Sequence, residues 1–182
     1  MRYFIGLGSN QEFAGVGSSK NVLESAIGRI CGEIGTVVKK SQWYESEPIP
    51  VSDQPWFVNG VIAVESELEP QALLKATLEV EASFGRIRSV ANAARTLDLD
   101  VIACEELVCD LQASEDLPAI ELPHPRMHER AFVLLPLAEI DPDWRHPVMK
   151  QDISVLVHAL PPQNIRIMGS GGAEGDNSLA KS

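Results

Sequence analysis

No run of about 18 consecutive apolar residues occurs in this 182-residue chain, which excludes an ordinary membrane-spanning helix. A basic surplus is absent too: 15 Lys and Arg face 26 Asp and Glu, for a net charge of −11. That argues against nucleic acid as a partner through a generally basic surface, though it leaves a local basic pocket open. Aromatic residues make up 5%, and no strand interleaves them with basic residues in the manner of an RNA-binding module. Three cysteines, Cys31, Cys104 and Cys109, form no C-x-x-C pair and are expected as buried free thiols. The opening MRYFIGLGSN lacks the basic and apolar regions of a signal peptide, so a cytoplasmic location is expected. Its GLGSN has neither the Gly-Lys-Ser/Thr ending of a P-loop nor a G-x-G-x-x-G pattern, and reads as a structural turn.

What is present is the composition of one soluble globular domain, 45% hydrophobic and 23% charged. Residues 2–7 read as a strand. Val22, Leu23, Ala26, Ile27 and Ile30 recur at helical spacing. TVVKKSQWYES (36–46) alternates as a strand, and three prolines stiffen the loop EPIPVSDQP. WFVNGVIAVES (56–66) is the next strand, with Phe57, Asn59, Val61 and Ala63 on one face. Pro70 opens a second helix through Leu73, Leu74, Thr77 and Leu78, and Gly85 ends it. RTLDLDVIA (95–103) is a strand for which LVCD offers a hairpin partner, and 111–126 reads as loop. A mixed segment interrupted by Pro136, a helix in DISVLVHAL and a strand in NIRIM follow. The order βαββαβ predicts a ferredoxin-like α+β antiparallel sheet with helices packed on one face and extra C-terminal elements. Residues 1–168 form the domain; 169–182, polar and glycine-rich, are expected to be a disordered tail.

The chemistry centres on RTLDLD. Alternation turns Leu97, Leu99 and Val101 one way and Asp98 and Asp100 the other, with the two aspartate Cα atoms roughly 6.5 Å apart. Two readings stand for that pair: the wet face of an edge strand, or a site for hard cations. From Ala82 to Leu97 there is no acidic residue, while Arg86, Arg88 and Arg95 all occur. Guanidinium forks there suit phosphate oxygens; the alternative is ion pairing with Asp98, Asp100 or Glu81. Glu81 continues an apolar stripe near a helix C-terminus, where the dipole disfavours its charge and a basic partner would explain it. Downstream, PHPRMHERAF gathers His124, Arg126, His128 and Arg130; no third ligand at zinc spacing accompanies the histidines. Phe57 beside Asn59 offers an apolar ring and an amide that can clamp a planar heterocycle, or a core contact.

In this order and spacing, GLGSN, DQPWFVNGVIAV, E-x-x-x-G-R-x-R at 81–88, RTLDLD and PHPRMHERAFVLLPL resemble the 6-hydroxymethyl-7,8-dihydropterin pyrophosphokinases of folate biosynthesis. The resemblance implies a monomeric ferredoxin-like enzyme of small-molecule substrates, which transfers the β,γ-diphosphate of ATP to the pterin hydroxymethyl oxygen and releases AMP. It implies that Asp98 and Asp100 hold two Mg²⁺ ions and that Arg86 and Arg95 stabilise the transferred group. Glu81, Arg88, Val101, His124 and Arg130 would complete the ATP site. The pterin would lie between Phe57 and Phe132, bonded by Asn59 and by groups around Ser46 and Ile49. Here SVANAA replaces the aromatic-bearing loop segment frequent in the family, and Pro125 stands where an aromatic is frequent. Two rival readings remain: a palm-type nucleotidyl transferase, which also places D-x-D on a strand but releases pyrophosphate, and an inactive pterin-binding relative.

Overall fold

The computed structural model describes residues 1–86 and 94–169. In chain order the elements are β1 (Arg2–Ser9), α1 (Ser19–Glu33), β2 (Thr36–Lys40), β3 (Tyr44–Ser46), β4 (Phe57–Glu65), α2 (Pro70–Ser83) and β5 (Asp98–Cys104). There follow β6 (Cys109–Leu111), β7 (Ile120–Leu122), a 3₁₀ turn (Met127–Glu129), α3 (Ala131–Ile140), α4 (Ile153–His158) and β8 (Ile165–Ile167). The main sheet runs β5–β1–β4–β3–β8, with β2 also pairing β4, and each of its pairings is antiparallel. Among the described residues, no helix is long and apolar enough to cross a membrane.

Helices cover both faces of the sheet, which corrects the one-face expectation. On one face Tyr3, Ile5, Leu7, Ile62, Val64, Leu99 and Val101 pack against Val22, Leu23, Ala26 and Ile30 of α1 and Leu73 and Val80 of α2. On the other, Phe4, Val61, Ala63, Ile102 and Ala103 meet Val133, Leu134, Leu137 and Ile140 of α3 and Ile153 and Leu156 of α4. The physical reason is legible in YFIGL and VIAV: strands apolar on successive residues, rather than on alternate ones, need cover on both sides.

Other expectations shift locally. The strand expected over 36–46 is two strands, β2 and β3, which pair with separate stretches of β4. Between them the buried Ser41 donates its hydroxyl to the Gln42 carbonyl and accepts the Val61 N–H. Of LVCD, Cys109 and Asp110 pair with β7, a strand within the expected loop, rather than with β5. α3 runs through Pro136. Cys104 is buried, but Cys31 is exposed and Cys109 half-buried; all three are free thiols.

Below α3, His146 is buried, and its Nδ1 accepts the N–H groups of Val148 and Met149, both at 3.2 Å. Burial, reinforced by neighbouring His128, lowers its pKa below the usual histidine value of 6.5. The unfolded chain therefore binds a proton at His146 that the folded protein refuses, so stability falls as the pH drops through about 6.5. His124, also lowered, adds to the same trend. A His146→Gln variant is expected to flatten part of the decline in melting temperature between about pH 7 and pH 5. An unchanged slope in calorimetry would contradict the assignment.

Candidate active site

The face covered by α3 and α4 is covered over only part of its length. Beyond Val61 and Ile102 it continues through the aligned row Asp98, Gly8, Asn59 and Tyr44, with Asp100 opposite Gly6 in the next same-face row. A Cβ on Gly8 would stand 3.1 Å from Asn59 Oδ1 and 3.8 Å from Asp98 Cβ, so glycine keeps the space between carboxylate and amide open. GLGS thus belongs to β1 and is not the structural turn expected from sequence. Gly6 yields its space to Ile102, whose side chain would approach a Cβ there to 3.1 Å.

A register shift between Phe4 and Ile5 leaves Ile102 as the extra residue of β5. Its carbonyl accepts the His124 N–H at 2.7 Å, which seats His124 beside β5. Arg130 Nη1 lies 3.4 Å from Asp100 Oδ2. Burial first, and Asp98 second, raise the Asp100 pKa above the ordinary carboxyl range, against the opposing influence of His124, Arg130 and Arg86. Burial lowers the pKa of His124, whose Nδ1 accepts the Arg126 N–H at 3.1 Å. His124 is therefore a neutral ring at pH 7.

The two carboxylates differ in company. Asp98 is gripped on Oδ1 by Arg86 and on Oδ2 by Arg95, and its side chain is 18% exposed. Asp100 is 37% exposed and faces Arg130. Arginines 86 and 95 thus pair with local acids, the pairing that the sequence left as an alternative. Arg95 is itself anchored at its backbone: its N–H donates to Asn10 Oδ1 at 2.8 Å and its carbonyl accepts the Asn10 N–H at 3.1 Å. Asn10, buried, also donates to Gln54 Oε1 and to the Pro55 carbonyl, joining Arg95 to the proline-rich loop. Sequence reasoning missed Asn10; its signal was a polar residue directly after a strand whose glycines alternate.

Glu81 is 1% exposed. Its Oε1 accepts the Leu99 N–H at 2.7 Å and faces Arg86 Nη1 at 2.5 Å. One carboxylate therefore fixes strand β5 between the two aspartates and the guanidinium that grips Asp98. Glu81→Ala is expected to cost about 3 kcal/mol of stability, because it takes one of two carboxylate partners from a largely buried guanidinium and leaves a buried N–H without its acceptor. Glu81→Gln, which keeps an acceptor for Leu99, should lose markedly less; equal losses in urea unfolding would refute this division of roles.

On the far side of Gly8, Asn59 donates its Nδ2 to Ser46 Oγ at 2.8 Å, and both residues are buried. Ser46 stands opposite Phe57, which is half-buried. Phe132, also half-buried, packs from α3 against the same face, with the Arg130 guanidinium 5.7 Å from its ring centre. Ile49, in the proline-rich loop, is 60% exposed. Val101 is buried on the opposite face, in the α1 and α2 core. Arg88 lies outside the described residues.

Known proteins resemble this chain over most of its length. The family model described as 7,8-dihydro-6-hydroxymethylpterin-pyrophosphokinase matches residues 4–142. A 2-amino-4-hydroxy-6-hydroxymethyldihydropteridine pyrophosphokinase of Methylorubrum extorquens is 39% identical over 143 residues, covering 78% of this chain and 84% of that protein. The folic acid synthesis protein fol1 of Schizosaccharomyces pombe is 36% identical over 134 residues, 74% of this chain but 18% of its own length. A solved Plasmodium falciparum HPPK-DHPS structure shares the fold with a TM-score of 0.69 at 12% identity, over 86% of this chain and 42% of that one. This chain thus spans less than half of the fission-yeast and Plasmodium proteins and most of the Methylorubrum one. On the matched length and on these identities, the chain belongs to the 7,8-dihydro-6-hydroxymethylpterin-pyrophosphokinase family.

Proposed function

We propose that this protein transfers the β,γ-diphosphate of ATP to the hydroxymethyl group of 6-hydroxymethyl-7,8-dihydropterin, releasing AMP, in folate biosynthesis. The observation that carries the reading is a single open sheet face with paired carboxylates and guanidiniums at one end and an amide flanked by aromatic residues at the other.

ATP is the co-substrate, and its phosphates lie at the Asp98 and Asp100 end, with Arg86, Arg95, His124 and Arg130 around it and Arg88 assigned to the same site from its motif alone. Glu81 and Val101 support that site from within, as the hydrogen bonds of the one and the burial of the other indicate. Asp98 and Asp100 are the residues that would hold Mg²⁺, two ions in this reading. The donor set fits: two same-face carboxylates with open space between strands suit a cation that takes few protein ligands and leaves the rest to water and phosphate. When bound, the metal supplies charge neutralisation at the phosphates and lowers the pKa of an attacking hydroxyl.

This chain's own residues do the remaining work. Arg86 and Arg95, already clustered by Glu81, Asp98 and Asn10, exchange a carboxylate partner for the oxygens of the transferring group. The pterin ring lies between Phe57 and Phe132 and is read by Asn59 and by groups near Ser46 and Ile49, which aligns its hydroxyl with the β-phosphorus. Asn59 is held by Ser46 through its Nδ2. The sheet order β5–β1–β4, continued by β3 with β2 beside it, supports a ferredoxin-like reading of the 1–168 domain. A cytoplasmic monomer with small-molecule substrates, no nucleic acid and a 169–182 tail completes the proposal.

Chromatography of the nucleotide formed tests the reaction class. AMP appearing only when the pterin is present supports the transfer, whereas ADP, or nucleotide turnover indifferent to pterin, defeats it.

A further inference from the structure

We propose that Gln163 is a positioning residue for the pterin subsite, at the head of a C-terminal strap that holds together the walls of that subsite. The inference rests on the function proposed above. The strap lies beyond residue 142, where the family match ends.

The first N–H groups of a helix have no acceptor inside it, and Arg130, at the N-cap of α3, makes no side-chain cap bond. Gln163 supplies what is missing: its Oε1 accepts the Ala131 N–H at 3.1 Å, while its Nε2 donates to the Glu129 carbonyl at 2.9 Å. One side chain is thus bonded to the backbone on both sides of Arg130. Arg130 faces Asp100, and Phe132 follows two residues later with its ring beneath the same guanidinium. The direction of both groups depends on how the 3₁₀ turn passes into α3, and Gln163 fixes that passage.

The next residues fasten the opposite wall. The Asn164 carbonyl accepts the Glu47 N–H at 3.0 Å and its Nδ2 donates to Glu47 Oε2 at 2.5 Å, which holds the residue directly after Ser46. Ile165 pairs with Ser46, which in turn pairs with Phe57, so half-buried Ile165 continues the same row of the sheet. Arg166 bonds Glu45 at 2.7 Å and lies 5.1 Å from the ring centre of Trp56, the residue before Phe57. Four consecutive residues therefore join the start of α3 to β3, to the proline-rich loop and to the start of β4. Phe57 and Phe132, the two proposed walls of the pterin slot, come from elements far apart in sequence, and this strap sets their separation.

Steady-state kinetics at saturating ATP and Mg²⁺ test the assignment, with melting temperature recorded for each variant. Gln163→Ala is expected to raise the pterin KM about tenfold, since small misplacements of binding groups are costly. Gln163→Glu keeps an acceptor for the Ala131 N–H and should raise it about threefold. A brace with no bearing on the site would lower the melting temperature and leave the pterin KM of the folded enzyme within twofold of wild type, and that result overturns the proposal. If the alanine variant does not fold, the glutamate variant decides by the same criterion. A wild-type protein that forms no AMP would instead defeat the proposed function, before any variant is compared.

Discussion

Replacing Asp100 by alanine is expected to abolish AMP formation, lowering kcat by at least about 10³-fold, in a protein that keeps its fold. The carboxylate projects from the open sheet face, is 37% exposed, and has Arg130 3.4 Å away. Burial and the neighbouring Asp98 push its pKa above the ordinary carboxyl range, which disfavours the charge. Removing it therefore relieves repulsion as much as it breaks an ion pair, and little stability should be lost. Asp98→Ala should abolish turnover as completely but carries a structural penalty. It leaves Arg86 and Arg95 without the carboxylate that both grip, one guanidinium being largely buried. Asp98→Asn, which keeps the shape and loses the charge, separates the two effects. Near-normal AMP formation by any of these variants would contradict the assigned role; circular dichroism and thermal unfolding check that the fold persists.

Arg95→Ala carries the second large effect: a fall in kcat of about 10² to 10³-fold with pterin affinity within about threefold of wild type. Arg95 is held by Asn10 at its backbone and by Asp98 at its guanidinium, at the carboxylate end of the site. The proposed pterin groups Asn59, Ser46 and Phe57 stand on the other side of Gly8. A group so placed is expected to act on the transferring phosphates and to leave ring recognition alone. Lysine should recover only part of the loss, because it cannot reproduce the planar fork. Calorimetry with the pterin alone, beside single-turnover kinetics, reads the two quantities separately. Weakened pterin binding with kcat preserved would reverse the assignment.

The largest part of the fold was legible where one periodicity dominates. The helical spacing of Val22, Leu23, Ala26 and Ile30 and the placing of Pro70 located α1 and α2 closely. Alternation in RTLDLD separated Leu97 and Leu99 from the two aspartates as the structure does. Short elements were less legible because three residues hold too little pattern: β6 and β7 pair with each other in a separate two-stranded sheet, and β7 was expected as loop. Pro136 suggested an interruption, yet α3 runs through it with Val133, Leu134 and Leu137 packed into the core. Candidate groups on single motifs could be named from residue type and from the family resemblance. Those that act across the chain were not: Gly8 matters through what would crowd it, Asn10 through a partner 85 residues away, and Gln163 through the start of α3. Such roles arise from tertiary proximity, which composition and spacing do not encode.

The proportions also show how a globally acidic chain can handle a polyanion. Net charge is −11, yet Arg86, Arg95 and Arg130 converge on two carboxylates on one open face. Local field, rather than total charge, governs what such a cleft attracts.

The most direct test of the account is ³¹P NMR of the protein incubated with ATP, Mg²⁺ and 6-hydroxymethyl-7,8-dihydropterin. The account predicts AMP and a pterin-linked diphosphate accumulating in equal amounts, with no free pyrophosphate. Release of free pyrophosphate together with a nucleotidylated product, or ATP left intact, would contradict it.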